Sequence, residues 1–229
     1  MSDFKGFSPQ LLSFLDELTV NNNRLWFGEN KQRYEDAVLS PALSFVEHMA
    51  CKIEKLSPYF EAIPKRSGGS LMRVYRDTRF SKDKTPYKTN LGIQFRHRRG
   101  KDIHAPGYYL HIQRNEVFLG VGCWRPDASS LAKIRQRIVD KPEAWRAIVD
   151  KPSFKRQLAW GGDSLKRPPR GYSGDHPLID SLKRKDFIVI KTLDDAALEN
   201  EDFTRQVVKV FRAGEPLMRF LCEALEIGF

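Results

Sequence analysis

The sequence predicts an α+β fold: a mainly antiparallel sheet with helices packed on one face, in a single domain spanning residues 1–229. Three observations lead there. Apolar residues recur at helical spacing over the first 56 residues. Between residues 71 and 122 the period becomes that of strands, with a tight-turn signal at Arg114-Asn115. Helical spacing then returns, apart from one strand-like run at 187–190. Runs of helix, then strand, then helix are the pattern of an α+β domain, and the hairpin argues for antiparallel pairing.

Each element has its own reason. Ser8-Pro9 opens the first helix, because serine caps it and proline is tolerated at the first helical position. Leu11, Leu12, Leu15 and Leu18 mark one face, and Phe7 and Leu12 are spaced as a hydrophobic staple. Asn21-Asn22-Asn23 ends that helix and caps a second one carrying Trp26, Phe27, Asn30 and Tyr34. Those aromatics fall on one helical stripe and read as core. Pro41 predicts an interruption, with Ser40-Pro41 starting a third helix to Leu56. Strands are expected at Leu71–Tyr75, Leu91–Phe95, Gly107–Gln113, Glu116–Gly122 and Phe187–Ile190. Helices are expected over Asp127–Val139, Pro142–Val149 and Ser153–Trp160. Two more, at 201–212 and 216–226, would be divided by Gly214 and Pro216.

The chain has 229 residues, 41% of them hydrophobic and 30% charged, a globular composition. Three widely separated cysteines, Cys51, Cys123 and Cys222, argue against a disulfide framework. The N-terminus lacks an apolar signal region, and no run reaches the roughly 18 apolar residues of a membrane span. These features predict a soluble cytoplasmic protein without a membrane partner. The net charge is +10. Between Lys65 and Lys101 stand twelve Lys/Arg and two Asp/Glu, while the rest of the chain balances 27 against 27. Basicity so concentrated makes a local positive field, which attracts anions.

The densest part is RDTRFSKDKTPYK, residues 76–88. Arg76, Arg79, Lys82, Lys84 and Lys88 are its cations, and only Asp77 and Asp83 oppose them. The stretch lies between the strands expected at 71–75 and 91–95, in a connection long enough to suggest function. Phe80, Pro86 and Tyr87 are expected to anchor it on the core. Arg is suited to bidentate phosphate contact and Lys to point contact. Ser81 and Thr85 add hydroxyl donors, and Tyr87 or Phe80 offers a face for a base. The anion-binding set is therefore Arg76, Arg79, Ser81, Lys82, Lys84 and Lys88, with Arg170 from the loop RPPRGYSGDHP (167–177) as a further wall. Arg96, Arg98, Arg99 and Lys101 follow the strand at 91–95, and Arg167 accompanies Arg170. A composite concave site would bring Arg79 and Lys82 together with one of Arg96, Arg98, Arg167 or Arg170. The structural alternative is a loop whose aspartates pair internally, Asp77 with Arg79 or Arg73 and Asp83 with Lys82 or Lys88, the rest pointing into water.

Catalytic signatures are poor. Ser81 and Lys84 form S-x-x-K, but the companion S-D-N and K-T-G are missing. His48, His97, His104, His111 and His176 have no close pairing, and no C-x-x-C, phosphate-binding P-loop or dinucleotide glycine motif is present. No metal and no cofactor are expected. His111, on a predicted strand, could act as an acid or base beside bound phosphate, with Asp77 or Asp83 near it.

Five segments carry a resemblance: GFSP near the start, NNNRLWFGENKQRYE (21–35), RDTRFSKDKTPYKTN (76–90), GYYLHI (107–112) and LKRPPRGYSGDHP (165–177). In this order and at these intervals the chain resembles an uncharacterised family of bacterial and fungal proteins, domain-of-unknown-function family 2461. The likeness runs from residue 4 to residue 225, with RFSKDKTPYK its most specific element. It implies one compact domain and brings no established activity, cofactor or catalytic residue. Three classes of function stay open. The first is a binder of phosphate, nucleotide, nucleic acid or another polyanion. The second is an enzyme on a small phosphorylated or carboxylated substrate. The third is an interaction module docking on an acidic partner.

Overall fold

A computed structural model of the chain describes residues 4–99 and 105–229. Lys101 and His104, singled out above, lie outside the described residues. The fold is α+β, with a six-stranded sheet in the order β1-β2-β3-β4-β6-β5 and every neighbouring pair antiparallel. The strands are β1 Phe60–Glu61, β2 Leu91–His97, β3 Gly107–Ile112, β4 Val117–Cys123, β5 Ala159–Trp160 and β6 Phe187–Leu193. The expected hairpin joins β3 and β4: the Glu116 N–H donates to the Gln113 carbonyl, and Asn115 takes the positive φ of 59° that asparagine tolerates.

Side-chain alternation sends Ile93 and Phe95, Tyr108 and Leu110, Leu119 and Val121, and Phe187 and Val189 to one face, all fully buried. Two long helices cover that face, α4 (Ser40–Leu56) and α9 (Phe203–Ala224). Phe45 of α4 meets Phe95, and Phe211 of α9 meets both Phe95 and Tyr108. Helix α1 (Pro9–Val20) begins as the sequence predicts, with the Ser8 side chain accepting from the Gln10 N–H and Phe7 and Leu12 both buried. Helices α5 (Ala128–Asp140), α6 (Pro142–Val149) and α7 (Pro152–Gln157) pack around α9. The opposite face carries Gly92, Gly107 and Gly120 beside Gln94, Arg96, Tyr109 and His111.

Four sequence expectations need correction. Residues 71–75 form no strand: they contribute only the isolated bridges Leu71 to Ile93 and Tyr75 to Tyr87. Pro41 does not interrupt its helix. The short helices α2 (Arg24–Glu29) and α3 (Lys31–Tyr34) lead into a π-helical turn at Glu35–Leu39, which runs directly into α4. There the Ser40 N–H reaches back five residues to the Glu35 carbonyl. The wider turn leaves room for the proline ring and tolerates its missing donor. The two expected C-terminal helices are one, α9, which passes through Gly214 and Pro216. Pro216 is exposed, so the Arg212 carbonyl it leaves unbonded sits on the wet side, while Gly214 faces the sheet. Last, the helix expected to reach Trp160 stops at Gln157. Trp160 joins β5 instead, and its ring meets Trp145 and Phe154.

Candidate functional site

Residues 76–88 lie in the connection from β1 to β2, as an ordered hairpin. Its base is a two-rung ladder: the Arg76 N–H donates to the Pro86 carbonyl at 2.9 Å, and the Lys88 N–H to the Val74 carbonyl at 2.7 Å. Asn22, in the turn between α1 and α2, holds this base from the side. Its amide donates to the Tyr87 carbonyl and its oxygen accepts from the Tyr87 N–H, both at 3.0 Å. The asparagine thus stands in for a neighbouring strand. The Tyr87 ring is 5% exposed and stacks on Phe27 at 4.1 Å. The asparagine triplet, read above as caps and turn formers, therefore does more: Asn23 caps α2 through the Trp26 N–H, while Asn22 docks the basic loop.

Within the hairpin the aspartates organise the chain. Asp77 takes a two-toothed contact from Arg79, at 2.9 and 2.6 Å, and accepts from the Arg79 backbone N–H. That guanidinium holds the Asp77 carboxyl far below the usual carboxylate range. Asp83 accepts from the Thr85 N–H and pairs with Arg76, and these contacts lower its pKa to about 2. Arg76 also donates to the Thr85 hydroxyl, and Lys84 reaches the Thr78 carbonyl at 2.8 Å. The internal pairing foreseen for Asp77 is present with Arg79, whereas Asp83 chooses Arg76 rather than a lysine.

Three cations of the hairpin, Lys82, Lys84 and Lys88, have no carboxylate partner among the described residues, and Arg73 flanks them. No carboxylate among the described residues comes within ion-pair distance of Lys82, Lys88 or Arg73. Lys88 is half-buried, and its pKa is lowered by burial and then by the neighbouring Arg73 charge. Phe80 is corrected as an anchor: it is 95% exposed, at the tip, with the Arg79 guanidinium 5.8 Å from its ring centre. Ser81 lies beside it, in the turn closed by its N–H to the Thr78 carbonyl.

The remaining basic residues are distributed. Arg96 bonds Gln94, and Arg98 pairs with Glu61 of β1. Arg167 and Arg170 lie in the connection from β5 to α8 (Ile179–Leu182), at the opposite edge of the sheet from the hairpin. His111 sits on the sheet face opposite the helices, stacked on Phe118 at 4.7 Å. Its Nδ1 lies 3.1 Å from the Tyr109 hydroxyl and 3.5 Å from the Asn90 amide, and burial lowers its pKa. The Glu116 charge and a Gln113 hydrogen bond oppose that shift in part, and neither Asp77 nor Asp83 acts on it. Among the described residues no three His, Cys, Asp or Glu side chains gather as a metal site. No described helix is long and apolar enough to cross a membrane.

Removing the Asn22 side chain tests the docking. Asn22→Ala leaves the Tyr87 backbone without both partners, a cost of about 1–3 kcal/mol. The hairpin should then be cut faster by trypsin within 76–88 while the core transition stays cooperative. Unchanged cleavage would show that Asn22 does not hold the loop.

The profile of a family described as "Conserved hypothetical protein (DUF2461)" matches residues 10–220 of the chain. No curated protein and no solved structure matches it.

Proposed function

We propose, for a chain that belongs to the DUF2461 family of conserved hypothetical proteins, that its 76–88 hairpin is a docking element for a polyanion. One observation carries this reading: Lys88 is half-buried beside the Arg73 charge, and neither forms an ion pair with a described carboxylate, Asp77 acting on Arg73 only through space while bound to Arg79. Two like charges so placed repel each other, and burying one raises the cost, because charge is less well solvated there. A bound phosphate would relieve both effects. Lys82 and Lys84 extend the same positive surface toward the tip. The ion pairs Arg79–Asp77 and Arg76–Asp83 keep the hairpin in shape rather than supplying free charge. Free thiols at the surface residue Cys51 and the buried Cys222 fit a reducing compartment and support a cytoplasmic setting.

The test is titration with an oligonucleotide, a free nucleotide and inorganic phosphate at several salt concentrations. Arg73, Lys82, Lys84 and Lys88 each meeting one phosphate give an expected slope of log K against log salt near −3, at roughly −0.7 per single-strand contact. Lys82→Ala should make the slope shallower by about 0.7 and weaken all sequences alike. A free nucleotide binding as tightly as the oligonucleotide would replace the polyanion with a small ligand. Failure of every anion to bind would leave the hairpin a purely structural loop.

A further inference from the structure

We infer that the polyanion is single-stranded nucleic acid, and that Phe80 and Tyr75 are the side chains on which its bases stack; this rests on the reading just given. The hairpin presents aromatic faces as well as charge. A run of rings leads outward from the core: Phe14 to Phe27 at 6.4 Å, Phe27 to Tyr87 at 4.1 Å, Tyr87 to Tyr75 at 5.5 Å. The inner rings are buried, and the last, Tyr75, is 57% exposed. A base laid on Tyr75 would add the next ring to the series. Phe80 is a second platform, 95% exposed, on a turn that the two aspartates hold in shape. Such exposure leaves almost the whole ring in water at a site the fold has taken care to order.

The cations are interleaved with these rings. Arg73 precedes Tyr75 by two residues, Lys88 follows Tyr87, Arg79 lies over Phe80, and Lys82 is two residues beyond it. Cations along a backbone track with aromatic side chains between them are the chemistry of single-strand binding, since every base has a π-face. A duplex keeps its base faces stacked on one another, so it could use the lysines and leave both rings idle. Free phosphate or a nucleotide could occupy one ring or one cation pair, not the series.

The experiment compares the wild-type chain with Phe80→Ala, using a thymidine oligonucleotide, an abasic oligonucleotide of equal length, a duplex, inorganic polyphosphate and phosphatidylserine vesicles. Phe80 touches little of the fold, so the substitution should not disturb folding, which the thermal midpoint will check. The expected loss for the thymidine strand is about 5- to 150-fold, the range of one base–aromatic stack. Its salt slope should be unchanged, and polyphosphate and the abasic strand should bind both proteins equally. Tyr75→Leu should repeat the pattern. Equal binding of the thymidine strand by wild type and Phe80→Ala, with the steep salt slope retained, would overturn the stacking inference and leave the polyanion reading standing. Binding to vesicles but to no oligonucleotide would overturn the inference in favour of a membrane surface. Binding to none of these probes would remove the polyanion reading itself.

Discussion

Replacing Trp145 by alanine is expected to remove about 3–5 kcal/mol of stability, the usual cost of emptying a large aromatic site in a packed core. Trp145 is fully buried in α6. Its ring meets Trp160 of β5, Phe187 of β6 and Phe220 of α9, at 5.9, 6.0 and 5.1 Å. Its indole N–H donates to the Ser181 hydroxyl at 2.8 Å. One side chain therefore ties two strands to three helices, α8 being held through Ser181. Alanine leaves a cavity at that junction and removes the hydroxyl's partner. Against a total stability of about 5–15 kcal/mol, the loss is a large fraction. Trp145→Phe should cost less, because most of the volume stays. Urea denaturation followed by far-UV circular dichroism measures both, avoiding the fluorescence that Trp145 itself contributes. A loss below about 1 kcal/mol in the alanine variant would mean that the junction closes over the gap.

The second large effect turns on the sign of a Gly→Ala change. At Gly214 of α9 an added Cβ would stand 2.6 Å from Val121 Cγ1 and 2.9 Å from its Cβ. At Gly28 of α2 nothing lies within 4 Å. Alanine is a better helix residue than glycine by about 1 kcal/mol, so propensity alone favours both changes. Overpacking costs about 1–3 kcal/mol and acts only at Gly214. Gly28→Ala should therefore raise the unfolding midpoint and Gly214→Ala lower it, with Gly214→Val lower still. Equal shifts of the same sign in the two alanine variants would show that α9 does not approach β4 as closely as described.

How far the sequence foretells this structure depends on whether each signal is local. The β3–β4 hairpin is legible because its turn residues and alternation act over a few positions. Ser8, Phe7 and Leu12 announce the start of α1 for the same reason. Pro41, Gly214 and Pro216 mislead, because a breaker in isolation becomes tolerable where neighbouring packing holds the helix. A wide turn accommodates Pro41, and the sheet requires the absence of a side chain at Gly214. Trp160 leaves helical spacing to sit beneath Trp145, a contact made by a residue fifteen positions away. The basic hairpin itself is visible in composition. Its internal pairs are partly visible, since Asp77 and Arg79 are two residues apart. The Asn22 clamp is not, because 65 residues separate it from Tyr87. Phe80 misleads because aromatic character suggests burial, and only the three-dimensional turn shows it facing water.

The sheet ends at each side in a strand of only two residues, β1 and β5. Unpaired strand edges are templates for other chains, so their length sets a risk of self-association. Here the exposed margin of β2 is further occupied by residues 70–72, through Met72 to Gly92 and Gln94 to Ser70 hydrogen bonds. On the other side β5 gives way to Gly161 and to Gly162 at φ +72°, while β6 continues into the exposed residues Lys191 and Thr192. A second copy approaching either margin would find two rungs, then a turn or a lysine. The long apolar strands are kept in the middle, where amyloid-like stacking cannot begin without first unfolding the rim.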